Sequence, residues 1–130
     1  MKPQAVSLSL TLGSVDHLTT DAVVAKVAAL LQDIAERLSV RKAVPGHIKA
    51  LLEERGRWAA FNCTRPEDVR ITYSRDWKKA SLRRPMLRLS AILVGLSESQ
   101  VNDAVREALE SAGMRSEIWE CPGPHDANAS

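Results

Sequence analysis

The sequence predicts an α+β fold, a two-layer sandwich in which two helices cover one face of a largely antiparallel sheet. Two segments, residues 20–38 and 97–112, carry apolar residues at the spacing of a one-sided helix. Several shorter segments alternate apolar and polar residues, which is the period of a half-buried strand. The predicted order is β-α-β-β-β-β-α-β, with a strand-helix-strand unit at each end. This order gives the fold a ferredoxin-like character with an extra central strand.

The ends of the first strand and of both helices are indicated by individual residues. Residues 5–12 alternate Val or Leu with polar residues, and Gly13 ends this strand. Thr20 is the predicted N-cap of the first helix. Ser97 and Gln100 have the spacing of a capping box, and Gly113 is the expected stop of the second helix.

The remaining strands lie between and after the helices. Residues 47–52 and 58–63 flank a polar turn and predict a β-hairpin. Residues 69–74 and 86–94 predict two further strands. Residues 117–120 predict a short last strand.

Length and composition indicate one domain, residues 1–120, followed by a flexible tail, residues 121–130. Hydrophobic residues make up 45% of the 130 residues and aromatic residues only 4%, so we expect an aliphatic core. No signal peptide precedes the first strand, and no apolar run approaches the roughly 20 residues that a membrane helix needs. We therefore expect a cytoplasmic protein without a membrane partner.

Charge is distributed unevenly along the chain. Residues 37–88 contain fourteen Lys and Arg against five Asp and Glu, a net charge of +9, whereas the rest of the chain carries −7. Such asymmetry is informative about partners. We expect the cations to converge into one basic patch that binds an anionic or acidic partner.

The densest part of this region is residues 75–85, which lack a sustained period and predict a long exposed loop. Basic side chains interleaved with aromatic ones are also typical of single-stranded nucleic-acid binding, because cations contact phosphates and rings stack on bases. RNA binding is therefore an alternative function. The candidate residues for either partner are Arg70, Tyr73, Arg75, Trp77, Lys78, Lys79, Arg83, Arg84 and Arg88.

A second group of candidates follows the turn at Pro45 and Gly46. Alternation places His47 and Lys49 on the same side of one strand, where they could bind an anionic metabolite or serve a small enzyme. No glycine-rich phosphate loop and no catalytic signature is present, so we expect no cofactor and favour a protein that is not an enzyme.

The cysteines indicate neither a disulfide framework nor a metal site. Cys63 shares a strand face with apolar residues and is expected to be buried and unreactive. Cys121 and His125 are spaced closely but lie in the predicted tail, and we expect no metal.

A sheet that is covered on one face leaves its other face exposed to water. Trp58, Ile92 and Val94 are predicted on that second face. This pattern favours a homodimer that pairs sheet on sheet or edge to edge. The leading hypothesis from the sequence is therefore a cytoplasmic binding and assembly module that forms homo-oligomers and presents a basic surface.

Overall fold

The computed structural model describes residues 3–13, 15 and 17–114, and this part of the chain forms one sheet with two helices on one face. The predicted α+β two-layer sandwich is confirmed. The predicted strand at residues 117–120 and the tail at 121–130 lie outside the described residues. The strands are β1 (Pro3–Thr11), β2 (Gly46–Glu54), β3 (Arg57–Arg65), β4 (Asp68–Tyr73) and β5 (Met86–Val94), and the helices are α1 (Thr20–Leu38) and α2 (Glu98–Ser111).

The strands lie in the order β1-β5-β2-β3-β4, and every neighbouring pair is antiparallel. Because β1 and β2 both run antiparallel to β5, they are parallel to each other, and α1 connects them across β5. This is a split β-α-β unit. The predicted hairpin is the pair β2 and β3, and β4 extends the sheet at its far edge.

Because side chains alternate between the two faces of a strand, every second side chain points toward the helices. The buried positions of the four longer strands are largely aliphatic, and they pack against the buried stripes of α1 and α2. The aliphatic core predicted from composition is confirmed, with Phe61 and Trp77 as its large aromatic members. Cys63 is fully buried in this core, as predicted.

The termini of the helices follow capping rules. The hydroxyl of Thr19, not that of Thr20, accepts a hydrogen bond from the backbone N–H of Ala22 at 3.0 Å, so the predicted cap was one residue too late. The Ser97 and Gln100 capping box of α2 is confirmed. At the other end Gly113 has a φ of 73°, and its N–H donates to the carbonyl of Glu110, which ends the helix in a Schellman motif.

The face of the sheet opposite the helices is called here the open face. Its centre carries Lys49, Arg88 and Ser90, and exposed apolar side chains lie toward its ends, with Ile92 40% and Val94 46% exposed at one end and Met86 38% exposed at the other. Within the described residues, no helix is long and apolar enough to span a membrane.

Candidate anion-binding site

The sequence predicts a long exposed loop between β4 and β5, but two apolar residues anchor this connection in the core. Trp77 is only 2% exposed and Leu82 is fully buried. These two apolar side chains anchor a segment, residues 75–84, that is called here the basic loop. The ring of Trp77, a candidate for stacking on a base, is consequently enclosed by protein. Tyr73 packs beside it with 6.1 Å between ring centroids and remains 43% exposed.

A buried ion pair from the neighbouring hairpin organises the basic loop. Glu54 ends β2 and Arg57 begins β3, and the two residues lie directly opposite each other in the strand register. Their side chains are only 12% and 10% exposed, and Nη2 of Arg57 lies 3.4 Å from Oε2 of Glu54. The two-residue turn between them, Arg55 and Gly56, has φ values of 53° and 84°, as in a tight β-hairpin.

The guanidinium of Arg57 binds the carbonyl groups of the basic loop. Nη1 donates to the carbonyl of Trp77 at 3.3 Å and to that of Ala80, while Nη2 donates to the carbonyl of Ser81 at 3.3 Å. A planar guanidinium with several fixed donors suits this task. One side chain thus satisfies three backbone acceptors of the loop.

The carboxylate of Glu54 binds the opposite kind of group in the same loop. Its Oε1 accepts hydrogen bonds from the backbone N–H of Arg83 at 2.8 Å and of Arg84 at 2.9 Å. Glu54 therefore neutralises the charge of Arg57 and also holds the backbone of Arg83 and Arg84, which lie just before β5. Sequence reasoning missed both residues, although alternation from Leu52 and Ala59 already placed them on the buried side of the hairpin.

A second set of hydrogen bonds fixes the beginning of the loop. The backbone of Ser74 donates to the carbonyl of Trp58 at 2.9 Å, and the hydroxyl of Ser74 accepts from the N–H of Trp58 at 3.0 Å. The same hydroxyl donates to the carboxylate of Asp76 at 3.0 Å. Asp76 thus has a structural partner within the loop.

With its backbone groups directed inward, the loop presents its basic side chains to solvent. Arg75, Lys79, Arg83 and Arg84 are exposed and make no ion pair within the described residues. Lys78 lies 3.3 Å from the carboxylate of Asp21, but both are well exposed and such a pair contributes little stability. The basic loop thus presents five cations on a backbone that is held by buried groups.

The remaining candidates lie on or near the open face. His47 and Lys49 both point to this face, as predicted, because Ile48, Ala50 and Leu52 point to the core. Arg88 lies on the same face in β5. Arg70 lies there in β4, with its Nε 3.5 Å from Asp68.

Other cations lie far from both groups. Arg41 and Lys42, between α1 and β2, and Arg65, at the end of β3, lie at the opposite end of the sheet from the basic loop. Arg37 binds Asp33 at 2.9 Å and Glu107 at 2.8 Å, and so joins the two helices. The chain therefore carries several separate basic surfaces, of which the basic loop has the most cations.

Cys63 has no features of a reactive thiol. Its Sγ donates to the carbonyl of Arg65 at 3.0 Å, and burial raises the pKa of the thiol. In the described part of the chain no cluster of three or more His, Cys, Asp or Glu residues could hold a metal ion. Cys121 and His125 lie outside that part.

Comparison with known proteins returned no match to a family model, to a curated protein or to a solved structure.

Proposed function

We propose that the protein is a cytoplasmic binding module that associates with an acidic protein partner through the basic loop and does not act as an enzyme. The observation that carries this proposal is the buried pair of Glu54 and Arg57, whose polar atoms are directed at the backbone of this loop. Removing two charges from water is costly. Here the pair holds a strongly cationic segment in one conformation, and an ordered surface loses less conformational entropy on binding than a mobile one.

An acidic protein is favoured over single-stranded nucleic acid by the placement of the aromatic rings. Binding to bases needs exposed rings beside the cations. Trp77 is enclosed, and Tyr73 is the one aromatic ring of the loop region that is more than a third exposed among the described residues. The basic loop itself thus offers charge without an exposed ring, and Tyr73 is a single ring at its edge, whereas single-stranded binding stacks successive bases.

Self-association is part of the proposal and is supported by the exposed apolar residues at one end of the open face. Ile92 and Val94 lie next to each other on that face of β5, and apolar groups left in water favour pairing with a second copy. The centre of the face carries Lys49 and Arg88. We therefore expect copies to meet at the apolar end, away from these like charges.

The proposal is tested by binding of a labelled acidic peptide to the wild-type protein and to two matched double variants. Lys79→Gln with Arg83→Gln removes two exposed loop cations, and Arg41→Gln with Lys42→Gln removes the same charge at the other end of the sheet. At about 0.5–1 kcal/mol for each exposed charge contact, the loop variant should bind roughly tenfold more weakly. The control should change affinity less than about twofold.

Two results would contradict the proposal. Equal loss in both double variants would mean that the peptide responds to net charge alone. Tighter binding of a single-stranded RNA oligonucleotide than of the acidic peptide, abolished by the loop variant, would replace the acidic protein by nucleic acid.

Self-association is tested by light scattering on the same samples, which gives the number of subunits. A mass of 14.3 kDa, that of one chain, at micromolar concentration would contradict self-association.

A further inference from the structure

The centre of the open face contains a concavity of about 380 Å³. It forms because short side chains lie between long ones on neighbouring strands. Its volume is within the usual range of small-molecule sites. The outward side chains that line it are Ser7, Lys49, Leu51, Ala60, Arg88 and Ser90.

Hydrogen-bonding groups of the concavity are aligned in one row across the sheet. Ser7 lies opposite Ser90, Ser90 lies opposite Lys49, and Lys49 lies opposite Asn62. Adjacent strands are about 4.8 Å apart, so two hydroxyls, an ammonium and an amide are side by side. Ser7, Ser90 and Lys49 line the concavity and can donate hydrogen bonds to one ligand, whereas Asn62 lies beyond its lining.

The concavity also contains two cations without an acidic partner. Arg88 precedes Ser90 by two residues and is therefore a diagonal cross-strand neighbour of Lys49. Neither residue makes an ion pair with any described acid. Glu53 on this face lies opposite Met86 and is, like Lys49, a diagonal cross-strand neighbour of Arg88, but it lies on the side of Arg88 away from Lys49. A carboxylate or phosphate between them could accept charge-assisted hydrogen bonds from both cations.

We infer that this concavity binds a small molecule that carries a carboxylate or phosphate group and a compact apolar body. Its oxyanion lies between Lys49 and Arg88 and accepts hydrogen bonds from Ser7 and Ser90. Its apolar body lies against Leu51 and Ala60, the two apolar outward side chains of the lining. This site is separate from the basic loop, and the inference does not depend on the proposed function.

The test is a titration of the isotope-labelled protein with phenyl phosphate and with benzoate, followed by backbone amide NMR. Benzyl alcohol, which has the same ring without the charge, is the ligand control. We expect saturable shifts at Ser7, Lys49 and Ser90 with the anions only, and the tighter anion identifies the head group. Lys49→Gln with Arg88→Gln should weaken binding at least about tenfold, since charge-assisted hydrogen bonds to both cations are lost.

The loop variant Lys79→Gln with Arg83→Gln is the matched protein control, because it removes the same charge at a different surface. It should bind the tighter anion as the wild-type protein does. Equal loss of affinity in both double variants, or equal shifts with benzyl alcohol, would overturn the inference. Both altered residues of the concavity are exposed, and an unchanged melting temperature would confirm that the variant folds.

Discussion

The basic loop and the turn after α1, residues 40–43, both expose cations, but their backbones are held by different means. The basic loop is fixed by side chains from elsewhere, namely the buried ring of Trp77 and the pair of Glu54 and Arg57. The turn is closed by hydrogen bonds between Val40 and Ala43 at 2.8 and 3.2 Å. A long connection can thus be ordered by a few buried groups, whereas a short one depends on its own backbone geometry.

The backbone of the turn is strained, whereas that of the basic loop is not. Arg41 and Lys42 have φ values of 54° and 68°, a left-handed conformation that costs a residue with a Cβ roughly 1–2 kcal/mol. No residue of the basic loop has a positive φ among those described. The loop therefore depends on distant side chains, and the turn depends on strained residues of its own.

Among the variants that test how the two connections are held, we expect Arg57→Ala to lower the unfolding free energy most. The substitution leaves the buried carboxylate of Glu54 without its partner and leaves three loop carbonyls without a donor. Removing one member of a buried pair costs about 3–5 kcal/mol of unfolding free energy, which urea denaturation measures. Trypsin should also cleave the variant at the basic loop faster than it cleaves the wild-type protein.

Arg37→Ala is the matched control, because Arg37 also joins separate elements through two carboxylates but is 32% exposed. Its loss should cost about 1 kcal/mol or less. If Arg57→Ala were no more destabilising than Arg37→Ala, the buried pair would not be what orders the loop.

A second prediction concerns the end of the sheet that follows the turn. Gly46 has a φ of 150°, and a Cβ built on it would overlap the backbone carbonyl of Ile92 on β5. Gly46→Ala must therefore separate β2 from β5, at a cost of about 3 kcal/mol in unfolding free energy. Gly13→Ala is the control, since a Cβ there meets no atom within 4 Å. Equal melting temperatures for the two variants would show that this end tolerates strand displacement.

The sequence predicted the elements of this fold better than their contacts. Period alone located both helices and the outward direction of His47 and Lys49, because alternation is a local property. The neighbouring threonines 19 and 20 are equivalent in such a pattern, and the cap was therefore misplaced by one residue. Each of these features depends on residues close together in the chain.

The candidate site depends on pairings between distant segments, which no local period reveals. Trp77 lies within a basic, aperiodic stretch, and its burial results from tertiary packing over the end of the sheet. The pairing of Lys49 with Ser90 depends on β5 lying between β1 and β2. The pattern did contain one neglected signal, namely that the charged residues Glu54 and Arg57 occupy core-facing positions on both sides of a turn.

The smallest expected effect, and the only stabilising one, is that of Lys42→Gly in the turn. Glycine removes the Cβ that is strained at a φ of 68°, and this gain exceeds the extra entropy of glycine in the unfolded chain. We expect the unfolding free energy to rise by about 0.5–1 kcal/mol in urea denaturation. Lys79→Gly is the control in the basic loop, where φ is negative and the same substitution should lower stability by about 0.5–1 kcal/mol. Opposite signs would establish that the turn is strained and the loop is not, while destabilisation by both would mean that the two connections are held alike.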